Sequence, residues 1–256
     1  MAPGQSSGLT VCGEAADIMR LAAPVILTYV ATFCIPLATV VIGGRLGTPQ
    51  LAALALGTMT VNVTGISVAI GLLSGLDTLA SQAFGAGELR QTGVLLQRGL
   101  LVGGMACAPI ITFWVGGVGP LLVLVGQPAE VAALAEVYAR VVAAGLPGMV
   151  LFEAVKRWLQ CQQIVSPMLY TACAVLPLHV ALCWALVYPL GMGYEGAAAA
   201  TALSYWLLPA VLLLGLWRCP PHAPATWPGL SSEALSELGA YMRLAVPGML
   251  MFTLEW

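Results

Sequence analysis

Charge is scarce in this sequence. Asp, Glu, Lys and Arg together make up 8% of its 256 residues, against roughly 25% in soluble domains. With 9 basic and 11 acidic side chains, a water-soluble globule of this length could not cover its own surface with charge. A net charge of −2 also excludes a general nucleic-acid binder, which needs a clustered basic face. The seven cysteines include no CxxC pair, and their odd number excludes a complete disulfide framework. Most of them lie in apolar runs, as small helix residues do. No basic stretch precedes an apolar core at the N-terminus, where Glu14 and Asp17 come before Arg20. That order argues against a cleaved signal peptide.

What is abundant is apolar. Hydrophobic residues make up 60% of the chain, and 29 glycines add to them. The solvent for such a chain is the bilayer. A spanning helix needs about 20 mainly apolar residues, so the intervals between charges locate the spans. Residues 21–44, 46–76 and 99–129 are uncharged. A fourth interval, 131–152, contains Glu136 and Arg140, placed at i,i+4 where they can pair. It is followed by the flexible point Gly145-Leu146-Pro147-Gly148. Residues 164–188 and 196–217 supply a fifth and a sixth span. A seventh apolar run starts at Leu244 and reaches Trp256, about 20 Å as a helix, which is short of a core of about 30 Å. The expectation is a helix cut short.

Seven of the nine basic residues fall on one side if the spans alternate. The positive-inside rule then predicts a cytoplasmic N-terminus. The organisation expected is a cytoplasmic segment over 1–20, a six-helix lobe over 21–217, a cytoplasmic linker over 218–243 and the start of a second lobe over 244–256. The linker begins Arg218-Cys219-Pro220-Pro221-His222-Ala223-Pro224, which cannot be helical throughout. Ser231-Ser232-Glu233 then has the form of a helix start.

An internal repeat supports two lobes. Met19-Arg20-Leu21-Ala22 followed by Pro24 returns as Met242-Arg243-Leu244-Ala245 followed by Pro247, an offset of 223 positions that Glu14 and Glu237 share. A restart of the first helix after six spans is a transporter pattern, with substrate handled where the lobes meet. Pro24, Pro36, Pro109, Pro147, Pro177, Pro209 and Pro247 fall within the expected spans, where each removes a backbone hydrogen bond that lipid cannot replace. Gly71/Gly75 and Gly99/Gly103 read as close helix packing.

Few polar residues reach membrane depth. Asn62, the only Asn in the chain, lies mid-span and faces either another helix or a cavity. Asp77 reads as a helix-end charge. His179 reads as a packed polar contact, since a lone His cannot make a zinc site. Tyr29, Tyr138, Tyr170, Tyr205 and Trp206 are either interface aromatics or cavity walls. Glu255 is the sharpest candidate. It lies about 17 Å along the helix from Leu244, near the midplane, where an acid costs about 2.5–3.5 kcal/mol on insertion scales. A carboxylate placed there can exchange a proton for a cation.

Three stretches together resemble the multidrug and toxin extrusion (MATE) transporters, and most closely their animal branch. They are Val61-Asn62-Val63-Thr64-Gly65 with Asp77-Thr78-Leu79-Ala80-Ser81-Gln82; Gly145-Leu146-Pro147 with Leu159-Gln160-Cys161-Gln162; and Leu244-Ala245-Val246-Pro247 with Leu254-Glu255-Trp256. The resemblance implies an all-α membrane protein with twelve helices in two six-helix lobes. Such a protein exports small organic cations in exchange for protons, with no enzymatic chemistry and no cofactor. It implies Glu255 as the proton-coupling and cation-binding acid, Asn62, Tyr138 and Trp256 as cavity-lining positions, and the plasma membrane as location. Some bacterial members carry an essential acid in helix one, and residues 21–44 have none. Coupling would then rest with helix seven and the second lobe. A seven-helix receptor and a lipid flippase of the same broad superfamily are the competing readings. The first is opposed by the side on which the N-terminus falls, the second by the few Lys and Arg in the spans.

Overall fold

In the computed structural model, which describes residues 11–218 and 226–255, every regular element is helical. Long runs of Ala, Leu, Val and Ile satisfy their backbone polar groups within the helix, as lipid requires. The hydroxyls of Thr28, Thr60 and Thr64 donate to the carbonyls of Pro24, Leu56 and Thr60, four residues back.

The first span is α1 (Val11–Gly43). The second is continuous over Thr48–Gly85 and consists of α2 (Thr48–Val61), a π turn over Asn62–Ile66 and α3 (Ser67–Gly85). Next come α4 (Leu89–Gly116), the short α5 (Val118–Leu124), α6 (Ala129–Ala143) and α7 (Leu146–Cys161). Helices α8 (Ser166–Val187) and α9 (Gly193–Arg218) complete the lobe, and α10 (Leu238–Leu254) follows. Among the described residues, five helical segments are long and apolar enough to cross a membrane alone. The pair α6 and α7, bent by 56°, forms the fourth span in chain order and brings the number to six. Six spans were expected, and six are found.

Two boundaries differ from the expectation because a helix does not stop at a charge that is paired. Helix α4 begins at Leu89 rather than at residue 99, and carries Arg90 and Arg98 within it. It ends at Gly116, and α5 is a separate short helix. The fourth span continues past Phe152 to Cys161, so Glu153, Lys156 and Arg157 are helical and buried rather than loop charges. Pro147 lies within this span, at the start of α7. Pro is preorganised for that position, and it follows the bend directly. Glu136 and Arg140 do pair, at 2.7 Å.

The region after the sixth span is docked against the lobe. Ser231 caps a single 3₁₀ turn, Ser232–Leu235, by accepting from the Glu233 amide. Gln97 of α4 donates to the Gly229 carbonyl at 2.6 Å and accepts from the Ser231 amide at 2.9 Å. Arg90 forms a two-pronged pair with Glu233. Helix α10 starts at Leu238, ahead of the expected Leu244, and packs along α3. A Cβ added at Gly71 would fall on the backbone of Met249, and one at Gly75 would meet Tyr241. The Tyr241 hydroxyl donates to the Leu72 carbonyl at 3.1 Å. The Gly71/Gly75 and Gly99/Gly103 pairs do serve close packing, with Gly99 against Tyr241 and Gly103 against Val150. The proline-rich stretch from Cys219 to Pro224 lies outside the described residues.

Candidate functional site

Four spans and α10 line an open cavity of about 570 Å³. Tyr29, Phe33 and Pro36 of α1 form one wall; Asn62 and Ile66 of the π turn form another. Met149, Glu153 and Arg157 of α7, Tyr205 of α9 and Phe252 of α10 complete the lining. A groove of about 810 Å³ also runs beside α1 and α8, but its only charged lining residue is Arg45. A binding site needs a few polar groups converging on an apolar pocket, and the smaller cavity has them.

The π turn brings Asn62 there. One extra residue per turn shifts the helix face locally, and such turns recur at functional sites. Behind it, the Trp114 indole donates to the Thr64 hydroxyl at 3.0 Å, and Gly65 leaves room for the Trp114 ring.

The cavity's ionic wall is built on α7. Glu153, Lys156 and Arg157 are spaced i, i+3, i+4, so one helix face carries all three. Lys156 Nζ donates to Glu153 Oε1 at 2.5 Å. Arg157 pairs with Asp77 of α3, and its Nε lies 3.8 Å from Glu153 Oε2. All three α7 residues are at most 5% exposed. Two acids and two bases balance, which limits the desolvation cost of burying them. Glu153 Oε2 nevertheless has no hydrogen-bond partner.

A second polar cluster is neutral. His179, fully buried, contacts the Thr39 hydroxyl through Nε2 at 3.1 Å and the Ser204 hydroxyl through Nδ1 at 2.8 Å. Thr39 also contacts Thr201 at 2.9 Å. This network ties α1, α8 and α9 together, as the packed polar contact expected of His179 would.

The expected site residues are therefore dispersed. Asn62 lines the cavity. Tyr138 is 1% exposed and sits in the core against Gly57, while other residues form the cavity wall. Glu255 is exposed at the end of α10, three residues beyond the cavity-lining Phe252. Trp256 lies outside the described residues. Tyr29 and Tyr205 prove to be cavity walls, whereas Tyr170 is 71% exposed. Asp77, expected as a helix-end charge, is the partner of Arg157. The sequence reading missed Glu153, Lys156 and Arg157 as site residues, although their i, i+3, i+4 spacing was the available signal.

Six spans, four of them lining a cavity walled by acid, base and aromatic side chains, define one lobe of a two-lobe membrane transporter fold. The family is equally plain: the MatE family model matches residues 24–185, and the chain belongs to that family. It is 39% identical over 243 residues to multidrug and toxin extrusion protein 2 of Mus musculus, covering 95% of this chain and 42% of that one. It is 37% identical over 235 residues to protein DETOXIFICATION 16 of Arabidopsis thaliana, covering 92% and 48%. The likeness thus extends to plant as well as animal relatives. The crystal structure of the eukaryotic MATE transporter AtDTX14 superposes with a TM-score of 0.90 at 30% identity, covering 95% of this chain and 54% of that one. The chain spans about half the length of the curated relatives it matches.

Proposed function

We propose that the chain forms the N-terminal lobe of a secondary transporter that exports small organic cations across the plasma membrane in exchange for protons. The carrying observation is the cavity of about 570 Å³ in which a buried carboxylate, Glu153, lies among Tyr29, Tyr205 and Asn62. Carboxylate and aromatic faces together suit a poorly hydrated organic cation. Family membership and two curated relatives named for multidrug and toxin extrusion support the same reading.

In this reading Glu255 couples the two fluxes. Carried by α10 one turn past the cavity, it alternates between a proton and a cation where the lobes meet. Asn62 and Trp256 line the path, and Tyr138 supports it from the core. Met1 and the linker face the cytoplasm. Alternating access needs a second lobe to move against, so the 256-residue chain alone catalyses no exchange.

The test is proton-coupled flux of a labelled organic cation into proteoliposomes, comparing the chain alone with the chain joined to a second lobe. Saturable flux should appear only in the joined protein, and Glu255→Gln should abolish it while membrane insertion persists. Undiminished exchange by the Gln variant would remove Glu255 from the mechanism.

A further inference from the structure

Lys156 is the only lysine in the chain, and its ammonium is held in an unusual place. It is 1% exposed, and besides the Glu153 carboxylate at 2.5 Å it has two aromatic neighbours. Nζ lies 4.3 Å from the centre of the Tyr29 ring and 5.6 Å from that of Phe152. A carboxylate with two aromatic rings within about 6 Å of a cation is the composition of an organic-ammonium site. The cation occupying it belongs to the protein itself.

Two features connect this cage with the cavity. Tyr29 and Glu153 both line the cavity wall, so the cage opens where a ligand would arrive. Glu153 also keeps Oε2 free of hydrogen bonds although the residue is 4% exposed. Arg157 bonds Asp77 through Nη1, and its Nε, also without a hydrogen bond, stays 3.8 Å from that oxygen. The buried acid therefore retains unused capacity for a cation.

We propose that Glu153 and Tyr29 form a cation-binding site of the N-terminal lobe for quaternary and tertiary ammonium compounds, and that the Lys156 ammonium is its tethered occupant when no ligand is present. This rests on the organic-cation reading above and adds a second recognition point to Glu255. A quaternary ammonium carries a weakly held hydration shell, so it loses less than Lys156 does on leaving water for the cage. As the ligand enters, Lys156 gives up Glu153 and moves on its four-carbon stem into cavity water. Its return clears the site, and no covalent step is involved.

The wild-type chain provides the first test. Benzyltrimethylammonium is the probe, with neopentylbenzene as its uncharged isostere. Purified chain in detergent is treated briefly with acetic anhydride, and acetylation of Lys156 is read by mass spectrometry against the α-amino group of Met1. Saturating benzyltrimethylammonium should raise Lys156 acetylation by about 5-fold or more, because a freed ammonium regains solvent, and neopentylbenzene should not. Equilibrium binding supplies the second test. Lys156→Gln should tighten binding of the probe by about 10-fold, and Glu153→Gln should weaken it by about as much. Unchanged or reduced acetylation, absence of probe binding, or weaker binding by a folded Lys156→Gln chain would each overturn the proposal and leave a purely structural ion pair. Loss of coupled flux in the two-lobe protein would instead count against the exporter reading, since these binding measurements need no second lobe.

Discussion

The lobe contains two buried polar clusters built on different physical terms. The cluster around His179 is neutral and closed: two hydroxyls occupy both ring nitrogens, and a third hydroxyl completes the network. The cluster around Glu153 is ionic and open: charges balance across Asp77, Glu153, Lys156 and Arg157, but one carboxylate oxygen is unbonded and three of the four residues lie on α7. A satisfied neutral network holds helices in one arrangement. An ionic cluster with spare capacity beside a cavity can exchange partners. The difference separates a polar cluster closed on itself from one with spare capacity, although both are buried within the helical lobe.

Arg157→Ala should break this comparison most severely. It strips Asp77 of its partner and leaves two acids facing one lysine, and removing one member of a buried ion cluster costs about 3–5 kcal/mol. Thermal unfolding in detergent should show the largest loss of any variant described. His179→Ala should cost less, about 1–2 kcal/mol, because only neutral interhelical bonds and some packing are lost. It should leave the affinity for benzyltrimethylammonium unchanged. A marked loss of affinity would show that the neutral cluster is not purely architectural.

Outside the spans the effects shrink further. Gln97→Ala removes both hydrogen bonds that pin residues 229–231 to α4, at a cost of about 1 kcal/mol. The checkable outcome is faster limited proteolysis between residues 226 and 237, with the lobe intact. Arg90→Ala should be smallest, below about 1 kcal/mol, because the pair with Glu233 is solvent-exposed. Its effect should fade on raising the salt concentration.

The contrast between the clusters was only half legible in the sequence. His179 stood alone in an apolar run with no second ligand nearby, so a packed polar contact was the natural expectation. Glu153, Lys156 and Arg157 looked like the charged end of a span, because the charge-free interval stopped at residue 152. Pairing within α7 and across to Asp77 lets the helix continue through them, and pairing across 80 positions of sequence leaves no local signal. Asn62 could be placed at mid-span, but the π turn that directs it into the cavity could not. Within that turn Thr64 and Gly65 meet Trp114, which lies 50 positions from Thr64.

The sequence by itself determined the solvent, the number of spans and the restart of the first helix after the sixth. Each depends on composition and spacing along the chain, which hydrophobic length and backbone satisfaction translate directly into helices. It determined too that Gly71 and Gly75 are packing positions, since small residues at that spacing admit a neighbouring helix. Only the tertiary structure decided which polar residues share a cavity, which are sealed in the core and which cation holds Glu153. Those outcomes depend on distances between helices remote in sequence, where a carboxylate's environment is set by whichever side chains the packing brings within a few ångströms.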